Sequence, residues 1–485
     1  MSDRNKPLSF LHALAFAAIT LPVSAVGVAM SIYLPRHFAS HLGLDLAVIG
    51  TAFSIARMID IPVNGLLGWS MDKTRTPIGR YRFWTMLSVP LLMAGVYFLF
   101  MAPAGVGSVY LIAWVIVLFV GNSMLGLSGR TWAATLAPDY NGRSRLFGVL
   151  AAVGVLGGTL IIAIPALGEV RGVSDAGTIQ IMGWFLLVLS PLAIGLAALT
   201  TPERVAPKVG GRTFRRRDVW ALLGRPSYMR LVPASFFLEF GPSWMSAIYL
   251  FYFIDCRGFT TGRASSLLGI YVLSAVLGAP VLARAATKFS KHRTLISATI
   301  GYALALVAIP MLPKGQLPPT IAAMFMAGFF YSGFNLLLRA MTADVSDEVR
   351  LEGGQERAGL LFAITTMTTK TANALTIGIT FSVLDHLGYH AKAGVPNTAQ
   401  AIHNLELVFV GGPIVCVLLG ACCMIGYRLD AERHATIRRR LDERDALNIE
   451  STIRDSVTGE STALTPPHTG GFDEELKPRS VSDCL

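Results

Sequence analysis

The 485-residue chain takes 53% of its residues from the hydrophobic set and only 15% from Asp, Glu, Lys and Arg, where a soluble protein of this size carries about 25% charged residues. Disorder, collagen and a disulfide scaffold are excluded, and the apolar residues gather into runs that, at about 20 residues per span, cross a hydrocarbon core repeatedly. The formal charge of +11 is not a nucleic-acid signature, because the Lys and Arg residues fall in loops on one side of successive spans, as membrane orientation requires.

In chain order, six helices are expected over 11–33, 44–71, 83–102, 109–136, 146–167 and 179–199, forming a bundle within 1–199. Residues 200–230 follow as a basic linker with Arg212, Arg215, Arg216 and Arg217, too charged to enter lipid. A second bundle, 231–427, takes in 231–254, 265–286, 295–312, 321–341, 358–384 and 405–427. The remainder, 428–485, is a cytoplasmic polar tail, expected to start with a short charged helix and then to be disordered. The fold class is thus an all-α polytopic membrane protein with 12 transmembrane helices in two six-helix bundles. That organisation is expected of a transporter built from two repeated halves, with its site near the midplane. The loops opposite the termini hold only Arg36, Arg171, Arg257, Arg263, Lys314 and Lys392, so both termini and the linker are expected in the cytoplasm and the chain in the cell membrane. Arg4 and Lys6 precede an apolar run too long for a signal-peptide core, which reads as a first span. Cys256, Cys416, Cys422, Cys423 and Cys484 lack ligand-like spacing and read as small buried hydrophobes.

With Arg284 and Arg339, at the ends of their spans, counted with the adjoining loops, three basic residues, Arg57, Arg130 and Lys370, sit within spans, where a charge costs about 2.5 to 3.5 kcal/mol and so faces a partner or a water-filled cavity. Asp60 in SIARMIDIPVNGLLGW shares a helix face with Arg57 and Asn64, and Pro62 and Gly65 are expected to kink the helix and free carbonyls for an ion. Two readings stand side by side: a cation or proton site centred on Asp60, and a structural Arg57–Asp60 ion pair. Lys370 interrupts TTMTTKTANALT among Thr365, Thr366, Thr368, Thr369, Thr371 and Asn373. So many hydroxyls point to a wetted face, and Lys370 is about twelve residues from either helix end, too deep for snorkelling. Arg130 reads equally as cavity lining or as structural. Glu239, a second intramembrane carboxylate, is either a relay or a packing hydrogen-bonder, the latter being preferred, and Asn335 is read as interhelical glue ahead of ligand contact. Gly154 and Gly158 have the spacing of close helix packing. Trp84, Trp114 and Trp184 read as belt or packing residues, and His386 and His390 as solvated. The sequence contains no metal motif, phosphate loop or nucleophile elbow, so neither an enzyme nor a cofactor is expected.

The loop after the Asp60 helix, GWSMDKTRTPIGRYRFW (68–84), contains the G-x-x-x-D-K-x-R core that resembles the corresponding loop of the major facilitator superfamily. The longer T-R-x-x-x-G-R-Y-R-x-W string resembles the glycoside–pentoside–hexuronide:cation symporters, as do LAPDYNGRSRLFG after the fourth span and MTADVSDEVRLEGGQERAGLLFA before the eleventh. The resemblance covers roughly residues 8–427 and implies the major facilitator fold, alternating access and cation-coupled symport of a sugar. It also implies positions. Ala56, Arg57 and Asp60 match the family's cation-binding pattern on the second helix, while Asn64 replaces a second carboxylate; fewer negative ligands weaken Na⁺ binding and favour H⁺ as the coupling ion. Lys370 matches a family lysine near the cation and sugar sites. The sugar site departs more: the family's fourth-helix carboxylate falls at Gly126, a nearby aromatic at Arg130, the fifth-helix arginine at Ala151, a first-helix carboxylate near Ser24 and a tenth-helix tryptophan at Asn335. Losing acids while gaining Arg130 points to a more positive cavity and an acidic solute such as a hexuronide, with Arg130, Thr366, Asn373, Asn335 and Glu239 as cavity candidates. Asp72, Lys73 and Arg75 are expected to form a cytoplasmic latch between helices. The expected partners are a small solute and the lipid bilayer, and the chain is expected to act as a monomer. The rival readings are a lysophospholipid or other amphiphile carrier of the same fold, a membrane enzyme, and a non-transporting sensor with the tail as its output.

Overall fold

The computed structural model describes residues 10–136, 140–203, 222, 224–353, 358–392, 394–427 and 429–458. Twelve long helices follow one another: α1 (Phe10–Ser40), α2 (Leu46–Lys73), α3 (Arg80–Phe100), α4 (Ser108–Leu136), α5 (Tyr140–Val170), α6 (Asp175–Thr200), α7 (Pro226–Phe251), α8 (Thr261–Phe289), α9 (Lys291–Met311), α10 (Leu317–Gly353), α11 (Ala358–His386) and α12 (Ala399–Cys423). A thirteenth, α13 (Ala431–Thr458), is charged. Ten of the twelve are long and apolar enough to cross a membrane. The two others, α7 and α11, carry Glu239 and the hydroxyl-rich run around Lys370. The linker arginines 212 and 215–217, and the tail beyond 458 with Cys484, lie outside the described residues.

Several boundaries differ from expectation for local reasons. α7 starts at Pro226, whose fixed φ and missing N–H suit a first helical turn. It ends in a π-helical turn, Tyr252–Cys256, and α1 contains another, Ala29–Tyr33. α10 does not stop at the polar run after residue 341 but continues as helix to Gly353. α2 runs unbroken through Pro62, so the expected kink does not end the helix. Cys422 is exposed rather than buried.

Within the first half, α1 packs on α5, α2 on α4, and α3 on both α4 and α6; within the second, α7 packs on α11 and α12, α8 on α10, and α9 on α10 and α12. The halves meet along two seams, α2 against α11 and α5 against α8. In each seam the second helix of one bundle meets the fifth of the other, as a twofold-related repeat demands. Glycine permits the closest approaches: a Cβ on Gly328 would lie 2.0 Å from the Tyr271 carbonyl oxygen, fixing α8 against α10. On α5, Gly157 and Gly154 make the close contacts with α1, at Leu21 and Ser24, whereas Gly158 has ordinary clearance.

The loop string singled out above is built around Gly79, whose φ of 108° leaves room for Glu203 at the end of α6. Glu203 accepts from the backbone N–H groups of Arg80, Tyr81 and Arg82, capping α3. Arg82 donates to the Thr201 carbonyl at 2.6 Å, and Trp84 Nε1 to Thr74 Oγ1 at 2.9 Å. Asp72 pairs with Arg80 at 3.4 Å, tying α2 to α3; Lys73 lies over the Trp69 ring, and Arg75 donates to the carbonyls of Asp72 and Thr74.

The charged helix of the tail is longer than expected and is docked. His434 lies 3.4 Å from Asp344 and 3.1 Å from Asp347, Lys291 reaches Asp344 at 2.7 Å, and Arg350 pairs with Asp445 at 2.9 Å. Ile437 and Leu441 are buried beneath this polar rim.

Candidate functional site

At the middle of the α2–α11 seam, Lys370 Nζ donates to Asp60 Oδ2 at 3.0 Å. Asp60 also accepts a short hydrogen bond from the Ser123 hydroxyl on α4. The Asp60 side chain is 11% exposed and that of Lys370 36%, so the acid is buried near the middle of α2 while its basic partner stays partly open. Arg57 does not supply the partner to Asp60. Its guanidinium donates to the Asn373 carbonyl at 2.7 Å and to Ser31 Oγ at 2.9 Å, and lies over the Phe119 ring. The Arg57–Asp60 pair is therefore replaced by a cross-bundle pair with Lys370, because α11 packs against this face of α2. Asn64 donates to the Asp60 backbone carbonyl at 2.6 Å, an i to i−4 bond that directs its amide along the helix and not to the carboxylate.

Asn373 joins the seam to α7: its amide donates to Glu239 Oε1 at 2.8 Å, and its Oδ1 accepts from Ser243 at 2.7 Å. Glu239 thus combines helix bridging with a place in the central charge cluster. Most hydroxyls around Lys370, those of Thr365, Thr368, Thr369 and Thr371, bond back to their own helix. Thr366 is exposed. Asn335 is exposed too and makes no hydrogen bond among the described residues, which removes the interhelical-glue reading. Arg130 is exposed, and a Cβ at Gly126 would meet its guanidinium at 3.4 Å.

Ser31, Ser123, Ser243 and Arg339 also belong to this region. The serines gave no signal in sequence, being ordinary small residues in apolar helices. Arg339 falls inside 321–341 and was grouped with the following loop; the absence of any helix breaker before Gly353 is the signal that places it within α10.

The hydrogen bonds and ion pairs that join the halves at named partners lie at the Asp60 level or on the face opposite the termini. There Arg36 grips Asp255 at 3.2 and 3.3 Å, with the Tyr389 hydroxyl also donating to Asp255. Tyr33 donates to Ser265 at 2.9 Å, Thr260 to Glu169 at 2.6 Å, and Ser54 accepts from the Gly378 N–H at 3.1 Å. On the other face the ion pairs, such as Arg225–Glu352, stay within one half. The described contacts between the halves thus gather at the level of Asp60 and on the face opposite the termini.

Two six-helix halves joined across a buried, charge-paired acid are the architecture of a multi-pass membrane transporter. Residues 15–431 match the family described as MFS/sugar transport protein. The chain belongs to that family, within the glycoside–pentoside–hexuronide:cation symporters of the major facilitator superfamily. It is similar to the isoprimeverose transporter of Lactiplantibacillus pentosus, 25% identical over 438 residues, covering 87% of this chain and 88% of that one. It is also similar to the sodium-dependent lysophosphatidylcholine symporter 1-B of Danio rerio, 24% identical over 229 residues, 47% of this chain and 43% of the relative. The solved nucleoside transporter NupG shares the fold, with a TM-score of 0.64 at 15% identity over 86% of this chain and 100% of that one. The family and its structural neighbours are transporters, not enzymes.

Proposed function

We propose that the chain is a proton-coupled symporter of a sugar or sugar acid, working by alternating access with Asp60 as the coupling group. The observation that carries this reading is the Lys370–Asp60 ion pair, which joins the two bundles at mid-depth. Protonation of Asp60 removes the negative charge, so Lys370 loses its partner and the α2–α11 seam loosens. The bundles then reorient about the loaded site, and the proton leaves Asp60 on the far side, where Lys370 returns to it. One carboxylate and one hydroxyl, with Asn64 turned to the backbone, make a poor cage for Na⁺, which favours the proton. The bias of basic loops favours a cytoplasmic position for the termini-bearing face in a cell membrane, and the gathering of contacts between the halves on the other face supports an inward-facing conformation.

A lysophospholipid cargo is the second reading, favoured by the similarity to lysophosphatidylcholine symporters, which for some of them spans nine tenths of the chain or more. The deciding experiment for coupling uses proteoliposomes bearing the purified chain, with solute entry recorded alongside internal pH, with and without Na⁺. Solute-dependent acidification independent of Na⁺ is expected; solute entry that requires Na⁺ and moves no protons would overturn proton coupling.

A further inference from the structure

We propose that Arg130 and Arg339 form a two-armed clamp that holds a carboxylate or phosphate group of the transported solute between the bundles. This deepens the symport reading and rests on it for the identification of a central solute site. The two arginines are repeat-equivalent: Ser108 to Arg130 on α4 and Leu317 to Arg339 on α10 are twenty-two positions each, in the fourth helix of either bundle. Both side chains are exposed within long membrane helices, and neither makes a hydrogen bond or ion pair among the described residues. Arg339 is near enough to Arg130 and to Glu239 for its charge to act on both. An unpaired charge inside a membrane span faces a water-filled cavity in preference to lipid, which sets the exposed Arg130, beside Gly126, on a cavity wall.

The charge balance points the same way. Around the site stand two acids, Asp60 and Glu239, against four bases, Arg57, Lys370, Arg130 and Arg339. Lys370 answers Asp60, and Arg57 is fixed at the seam near both acids. Two positive charges are left over. Gly126 explains why they stay available: a side-chain carboxylate at that position would sit against the Arg130 guanidinium, and glycine leaves the space to the solute. Two unpaired guanidiniums near enough to act on each other repel, and a planar or tetrahedral oxyanion between them satisfies both forks at once.

The test is binding to the purified full-length chain in nanodiscs of glucuronate, glucose 6-phosphate and lysophosphatidylcholine, with methyl glucoside as the neutral control. At least one anionic probe is expected to bind and the neutral one to bind far more weakly; the responding probe shows whether the group is a sugar carboxylate, a sugar phosphate or a lipid headgroup. Arg130→Gln and Arg339→Gln are each expected to weaken the anion about 10- to 100-fold, and Arg130→Lys to recover part of the loss. Thermal unfolding without ligand reports whether each variant is folded. The clamp is overturned by methyl glucoside binding as tightly as the acids, by no anionic probe binding, or by native anion affinity in both Gln variants. Proton uptake during solute entry is measured in parallel: an anion held by the arginines but carried without a cation sinks the symport reading and leaves the clamp standing.

Discussion

Replacing Asp60 by Asn keeps the shape of the side chain and removes the charge that the proposed mechanism needs. The Lys370–Asp60 contact of 3.0 Å corresponds to roughly 5.5 kcal/mol at an effective dielectric of about 20, and to about 1.4 kcal/mol in bulk water. Lys370 is 36% exposed and Asp60 only 11%, so solvent screening of the first and desolvation of the second pull the net value down to about 2–3 kcal/mol. Because this ion pair spans the seam, its loss shifts the balance between the two access states by about 30- to 160-fold. In proteoliposomes, Asp60→Asn should abolish accumulation driven by a pH gradient while counterflow exchange continues. A distance between spin labels at Val170 and Lys314, which are exposed on the face opposite the termini in different halves, should lengthen as that face opens more often. Uphill accumulation with the native pH dependence would refute the role given to Asp60, and unchanged label distances would refute the magnitude.

Asp255→Asn should weaken the seal formed by Arg36, Asp255 and Tyr389 by about 1–2 kcal/mol, its partners being partly wet; alkylation of the neighbouring buried Cys256 by a membrane-impermeant maleimide should then quicken about 5- to 30-fold, and a native rate would show that this pair does not hold the face shut. Glu203→Ala removes the acceptor for three N–H groups of α3 and should cost about 1–2 kcal/mol of stability, lowering the unfolding temperature while transport per folded molecule is unchanged; an unaltered unfolding temperature would mean that water replaces the cap without loss. Leu441→Glu places a charge where the side chain is 1% exposed and should release α13 from α10, so that limited trypsin digestion cuts at Arg438 to Arg440 much faster; resistance equal to the native chain would show that the ion-pair rim alone holds the helix.

The helices were legible because hydrocarbon leaves a backbone few choices: each span must satisfy its own hydrogen bonds, so an apolar run of the right length is almost a structure already. Their ends were less so. α10 outlasts its apolar stretch by twelve residues because its Asp and Glu side chains meet Lys291, Arg433 and His434, partners remote in sequence. Asp60 and Lys370 stood out individually for the same reason of cost, but periodicity reports only neighbours on one helix. It therefore offered Arg57 as the partner of Asp60, three residues away, when the geometry pairs Asp60 with a lysine 310 positions along the chain. Arg339 was hidden by the reverse effect, since its helix continues into water and its charge looked like that of a loop. The mismatch has a physical root: an isolated charge in a span is visible by its expense, whereas a charge that lies on a wetted path between cavity and cytoplasm has little expense to show. A transporter open to one side places some of its binding groups on such a path, so the groups nearest the aqueous mouth are the ones that hydropathy misassigns. Arg339 stands on that boundary, and its equivalence to Arg130 in the other repeat distinguishes it from an ordinary loop arginine.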